Sequence, residues 1–147
     1  DEPISGEVFL LGINHGKAPE NAGYEYVIQL KEHTKHAAVL ENTDKIQALW
    51  NGSLQILQAA FYQQGAVKTP SGLVLLVDKP CAILYRKHEE GYRLWASNPE
   101  HTAFELKVSL SGTMKDEIIF DLEEGTLFNN LGRPLGYDSN TGFMGRE

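Results

Sequence analysis

The feature that most constrains this chain is its period of two. Phe104, Leu106, Val108 and Leu110 alternate with Glu105, Lys107 and Ser109, so one face of an extended segment is apolar and the other polar. Tyr24, Tyr26, Ile28 and Leu30 alternate with Glu25 and Gln29 in the same way. Residues 7–14, 46–50, 54–57, 82–87, 91–97 and 117–122 carry the β-branched and aromatic content of half-buried strands. The apolar run 73–77 suits a fully buried one. No window approaches the roughly 18 apolar residues of a membrane span.

Turn chemistry punctuates these runs. Asn51-Gly52 predicts a hairpin between 46–50 and 54–57, because both positions accept positive φ. His88-Glu89-Glu90-Gly91 reads as a second hairpin loop and Asn98-Pro99-Glu100 as a turn. Pro80, with no N–H to donate, interrupts or edges its strand. Thr34 can cap a short helix through Leu40, with Ala37, Ala38 and Leu40 as helix formers. Many short strands at close spacing predict an all-β fold: an antiparallel β-sandwich with at most one short helix.

Composition removes several classes of function. The 147 residues are 41% hydrophobic and 22% charged, enough to build a core and too apolar for wholesale disorder. With 13 Lys+Arg against 20 Asp+Glu the net charge is −7, which argues against nucleic acid as a partner and against a dominant polyanion-binding surface. One cysteine, Cys81, excludes an internal disulfide framework and a Cys-rich zinc site. Cys81 follows a proline, opens an apolar strand and has no basic cluster beside it, so it reads as an inert buried thiol.

The candidate chemistry is sparse. His33 and His36, at i, i+3 spacing with Glu32 or Glu41 near, lack a third ligand, so no metal site is expected. Nothing resembles a phosphate loop or a nucleophile elbow, and no cofactor is expected. Arg86, Lys87, Arg93 and Trp95 fall on one predicted hairpin. A ring beside cations can stack on an acidic sugar and hold its carboxylate or sulfate. The plainer alternative is a solvated face whose basic stems cover the indole. Trp50, next to Asn51-Gly52, gives a fainter version of the same idea. His15 with Tyr24 and Tyr26 could form a base and acid for β-elimination. The competing reading gives His15 to a long turn and the tyrosines to a packed face.

The segment holding those residues carries a family resemblance. Residues 11–27, Leu-Gly-Ile-Asn-His-Gly-Lys-Ala-Pro-Glu-Asn-Ala-Gly-Tyr-Glu-Tyr-Val, place His15-Gly16, a basic residue, Pro19, a small residue and then Tyr24-x-Tyr26 ahead of an apolar strand. This pattern resembles a stretch near the C-terminus of polysaccharide lyase family 8, the chondroitin, hyaluronate and xanthan lyases. Ala22-Gly23-Tyr24-Glu25-Tyr26 looks most like the chondroitin sulfate ABC lyases. Residues 42–48 are more loosely similar to the family's next strand, and Gln29-Leu30-Lys31 departs from the Leu-Pro of many members.

The resemblance implies an α/α-toroid carrying the catalytic Asn, His, Tyr and Arg, then a large β-sandwich, then a smaller C-terminal one. The catalytic positions lie upstream of the matched stretch, so no catalytic residue is carried onto this chain. His15, Gly16, Pro19, Tyr24 and Tyr26 are then structural. Residues 1–30 are expected as the terminal hairpin of the large sandwich, 31–42 as a linker or short helix, 43–136 as the C-terminal sandwich and 137–147 as a disordered tail. The expected partners are the parent lyase's large sandwich and toroid, with acidic polysaccharide a candidate and no membrane. Asp1-Glu2-Pro3 is acidic where a signal peptide is basic. A secreted or periplasmic location therefore follows from the resemblance alone. Two alternatives stand beside a non-catalytic lyase region: a carbohydrate-binding module, and a protein-interaction domain using its N-terminal hairpin as an added strand.

Overall fold

The structure, a computed structural model, describes residues 12–14, 16–23, 37–100, 102–112, 115–122 and 135–145. The chain divides into two units, Asp1–Thr34 and Lys35–Glu147. In the first, residues 16–23 form irregular turns. Asn14 Oδ1 accepts from the Gly16 amide at 2.8 Å, and Gly16, Ala18 and Asn21 take positive φ. The expected strand at 24–30, and residues His15, Tyr24 and Tyr26, lie outside the described residues, as do His33 and His36.

The second unit is built from strands alone among its described residues: β1 (Ala38–Asn42), β2 (Ile46–Asn51), β3 (Ile56–Phe61), β4 (Gly65–Lys68), β5 (Val74–Val77), β6 (Cys81–Lys87), β7 (Tyr92–Ser97), β8 (Phe104–Ser111), β9 (Asp116–Leu122), β10 (Leu135–Asp138) and β11 (Phe143–Gly145). They form a seven-stranded sheet, β1-β2-β3-β6-β7-β10-β11, and a four-stranded sheet, β4-β5-β8-β9. Every pairing is antiparallel. The expected antiparallel sandwich is therefore what forms.

The alternation explains the core. Ile46, Ala48, Trp50, Leu57, Ala59, Phe61, Ile83, Tyr85, Leu94 and Ala96 are among the buried positions of the larger sheet, and Val67, Leu75, Leu106, Val108, Leu110, Ile118 and Phe120 among those of the smaller. All join one apolar cluster. Burial of each large side chain stabilises the fold by about 1.5–3 kcal/mol relative to exposure. A side-chain bond ties the two sheets directly: the Tyr92 hydroxyl of β7 donates to Asp116 Oδ2 of β9. Tyr92 also stacks on Tyr85 at 5.6 Å and tilts against Tyr137 at 6.0 Å.

Three expectations differ from what forms. The helix expected through Leu40 gives way from Ala38 to strand β1, because pairing with β2 outweighs a weak helical propensity. The Asn51-Gly52 hairpin is not a two-residue turn. Asn51 pairs with Ile56, the positive φ sits at Gln55, and Asn51 Oδ1 accepts from the Ser53 and Leu54 amides at 3.1 and 3.0 Å. Asn51 thus shapes a longer loop through its side chain rather than through an unusual backbone. The tail expected to be disordered from residue 137 instead contributes half of β10 and all of β11.

The other turns follow the sequence. The His88 amide donates to the Gly91 carbonyl at 2.7 Å, closing the β6–β7 hairpin. Asn98, 1% exposed, accepts from the Glu100 amide at 2.7 Å and donates to the Thr102 carbonyl at 2.8 Å. Pro80 falls between β5 and β6.

Candidate glycan-contact face

The outward face of the seven-stranded sheet carries three of the sequence-predicted residues, Arg86, Arg93 and Trp95. Register places Arg86 opposite Arg93, Arg93 opposite Asp138 and Asp138 opposite Phe143. A second row runs Leu84, Trp95, Gly136, Gly145. Arg86, Arg93 and Trp95 therefore share one face, as side chains two apart on a strand must. Lys87 has the opposite parity and pairs with buried Tyr92, so it does not join them. Trp50, 5% exposed, belongs to the core.

Five residues at this place were not identified from the sequence: Gly136, Tyr137, Asp138, Phe143 and Gly145. A shallow groove is lined by Arg93, Trp95, Gly136, Tyr137, Asp138, Phe143 and Gly145. Gly136 and Gly145 pair with one another and form its floor. A Cβ on Gly136 would lie 3.0 Å from Trp95 Cδ1 and Nε1, so the indole's pyrrole side reaches over that bare backbone. A Cβ on Gly145 would lie 2.5 Å from Phe143 Cε1 and Cζ, so the Phe143 ring folds over its own strand. Phe143 is 63% exposed. The available signal was the run Asp138-Ser139-Asn140-Thr141-Gly142, a turn between Gly136-Tyr137 and Phe143-Met144.

That turn is fixed from several directions. Asp138 Oδ1 accepts from the Asn140 amide at 2.9 Å, and the Asp138 carbonyl from the Gly142 amide at 2.9 Å. Ser139 Oγ accepts from the Tyr92 amide at 2.7 Å, while the Ser139 amide donates to the Tyr92 carbonyl at 3.0 Å. Arg93 Nε meets Asp138 Oδ2 at 2.9 Å. The Asn140 amide, followed by the Arg93 guanidinium, holds the Asp138 carboxyl below its usual value. Behind the face, burial and then the bond to Asp116 raise the Tyr92 hydroxyl. Burial, with Asp78 adding to it, pushes the Cys81 thiol up to about 12. Cys81 is 1% exposed, as an inert thiol would be. Among the described residues, no three His, Cys, Asp or Glu side chains are grouped to hold a metal.

Comparison with known proteins places this sandwich. The family model for the polysaccharide lyase family 8 C-terminal beta-sandwich domain matches residues 38–107. Chondroitinase-AC of Pedobacter heparinus is 39% identical over 108 residues, 67% of this chain and 15% of its own length. The chondroitin sulfate ABC exolyase of Proteus vulgaris is 29% identical over 91 residues, 60% of this chain and 9% of its own. The Ala22–Tyr26 stretch pointed toward the ABC type, whereas over these longer alignments identity is higher to the AC enzyme. A solved chondroitinase AC lyase structure, from work on enzyme–oligosaccharide complexes, superposes with a TM-score of 0.53 at 29% identity, covering 58% of this chain and 13% of that one. The chain thus spans a small part of the relatives it matches. It belongs to polysaccharide lyase family 8, of which it carries the C-terminal β-sandwich domain.

Proposed function

We propose that this chain is a non-catalytic, scaffold-stiffening region of a bacterial polysaccharide lyase that degrades glycosaminoglycan-like uronic-acid polysaccharides by β-elimination. The observation that carries this reading is the match of residues 38–107 to the family's C-terminal domain, within relatives the chain covers to only 15% and 9%. Its partners are then the large sandwich and toroid of the parent, and its location is secreted or periplasmic.

The chemistry of the described residues supports the same reading. β-Elimination needs one group to remove a proton beside a carboxylate and another to protonate the leaving oxygen. Tyr85 and Tyr92 are buried and hold their protons more tightly than free tyrosine, which is the wrong direction for a base at neutral pH. Arg93 and Asp138 are engaged with each other.

The test incubates this chain, and separately a longer protein containing it, with chondroitin sulfate and hyaluronan, following the absorbance of the unsaturated uronate product. The longer protein is expected to turn over substrate and this chain is not. Turnover by this chain would falsify the non-catalytic role, and an inert longer protein would remove the lyase reading.

A further inference from the structure

We propose that Trp95, Phe143 and the paired glycines Gly136 and Gly145 form a subsite that stacks a pyranose ring of an acidic polysaccharide, with Arg86 answering the sugar's anionic substituent. The choice of polysaccharide rests on the lyase reading above, whereas the stacking platform rests on geometry alone.

The platform is two rings spread over a floor without side chains. Trp95 leans toward β10 over Gly136, Phe143 folds over Gly145, and those glycines are register partners. A side chain at Gly136 would crowd the Trp95 ring and one at Gly145 would displace the Phe143 ring from its present place, so the bare glycines let both rings lie as they do. A large aromatic left 63% exposed needs a reason, since exposed apolar surface of this kind commonly marks a contact site. An aromatic face carries negative quadrupole charge, which suits the C–H face of a sugar ring. Beside it, the Asp138 carboxylate takes bonds from Asn140, Thr141 and Arg93, and a carboxylate's two oxygens can accept about four. A sugar hydroxyl can use what remains.

The charge on this face differs from that of the chain. Arg86 is exposed and lies opposite Arg93, whose charge Asp138 offsets. The row Arg86, Arg93, Asp138, Phe143 thus has a surplus of one positive charge within a chain of net −7. It crosses four adjacent strands, roughly 14 Å, which accommodates a short oligosaccharide. A carboxylate or sulfate placed over Arg86 makes a charge-assisted bond.

The experiment titrates the isotope-labelled 147-residue chain with three probes while recording amide and indole N–H spectra. The probes are a chondroitin sulfate hexasaccharide, its desulfated and carboxyl-reduced neutral counterpart, and polyaspartate. The hexasaccharide is expected to shift the Trp95 indole and the Gly136, Phe143 and Gly145 amides to saturation. The neutral counterpart should bind about tenfold more weakly, corresponding to about 1.4 kcal/mol. Arg86→Gln should abolish that difference. Phe143→Ala should weaken both sugars by at least about tenfold. Phe143 is exposed on an edge strand, so this variant keeps the fold, and unchanged spectra elsewhere will show it.

No shift at these residues with either sugar overturns the proposal. So does polyaspartate shifting them as strongly as the hexasaccharide, or sugar binding that Phe143→Ala leaves intact. Uronate turnover by the longer protein without binding here removes the subsite alone. Binding here without turnover there removes the lyase reading alone.

Discussion

At the scale of single residues, the sandwich depends on groups whose protons are held tightly. Tyr92 is 4% exposed and its hydroxyl reaches Asp116 on the opposite sheet. A hydrogen bond to a charged acceptor contributes about 1.5–3 kcal/mol. Asp116 is only half-buried and can recover some hydration, so Tyr92→Phe should cost about 1–2 kcal/mol. Thermal unfolding will measure it, and an unchanged midpoint would show that the bond contributes nothing. The sign of the pH dependence follows from the same groups. Tyr92 and Cys81 both bind their protons more strongly folded than unfolded. Their stabilisation is complete below the unfolded values, about 8.5 for a thiol and about 10 for a phenol, and drains away as pH rises past them. The melting temperature should hold level to about pH 8 and then fall, less steeply in Tyr92→Phe. A maleimide should label Cys81 only as the protein unfolds.

At the scale of elements, the strands with clean alternation were legible and the ones made by context were not. β8 could be read because Phe104 through Leu110 alternate over the whole strand. β1 could not, since Ala38 and Leu40 are good helix formers and it is pairing with β2, not their own propensity, that makes them extended. The β10–β11 hairpin hid behind its glycines. In a sequence they read as flexibility, whereas here they leave room for Trp95 and Phe143. More than half of the candidate site therefore escaped notice: Arg86, Arg93 and Trp95 lie on long alternating strands, while Tyr137, Asp138, Phe143 and the glycines lie on short ones. Two element-scale outcomes follow. Asp138 carries a lowered carboxyl, so its support of the hairpin is present above the ordinary carboxylate range and is lost as pH falls through its folded value. Protection of the Asn140 and Gly142 amides, taken relative to their intrinsic exchange rate at each pH, should fall in acid, and Asp138→Ala should show low protection at neutral pH already. Gly112 ends β8 at φ +99°, where a Cβ would sit 2.0 Å from the Gly72 carbonyl oxygen. The oxygen is backbone and the Cβ is fixed directly to backbone, so neither can swing away, and Gly112→Ala should destabilise by about 2–4 kcal/mol in denaturant titration.

At the scale of the whole molecule, the question is which part of the chain is needed for a cooperative fold. Among the described residues, all the buried hydrophobic members of the apolar cluster fall between Ile46 and Leu122, inside the unit Lys35–Glu147. Its sheets also manage their own edges. β1 breaks register between Val39 and Glu41, β4 and β11 are only 4 and 3 residues long, and β9 carries Asp116, Glu117 and Asp121. Breaks, short strands and charge all discourage pairing with another chain. A core that is continuous and edges that are blunted are what a self-sufficient domain requires. A chain beginning at Lys35 should therefore unfold in one cooperative transition. The calorimetric and van't Hoff enthalpies should agree, at on the order of 70–80 kcal/mol near 60 °C for a domain of this size. A broad transition, or a van't Hoff enthalpy well below the calorimetric one, would mean that residues 1–34 complete the fold. The distinction also bears on function. A sandwich that folds alone can present Trp95 and Phe143 to a glycan whatever precedes it, so the shortened chain should reproduce the sugar-induced shifts of the full one.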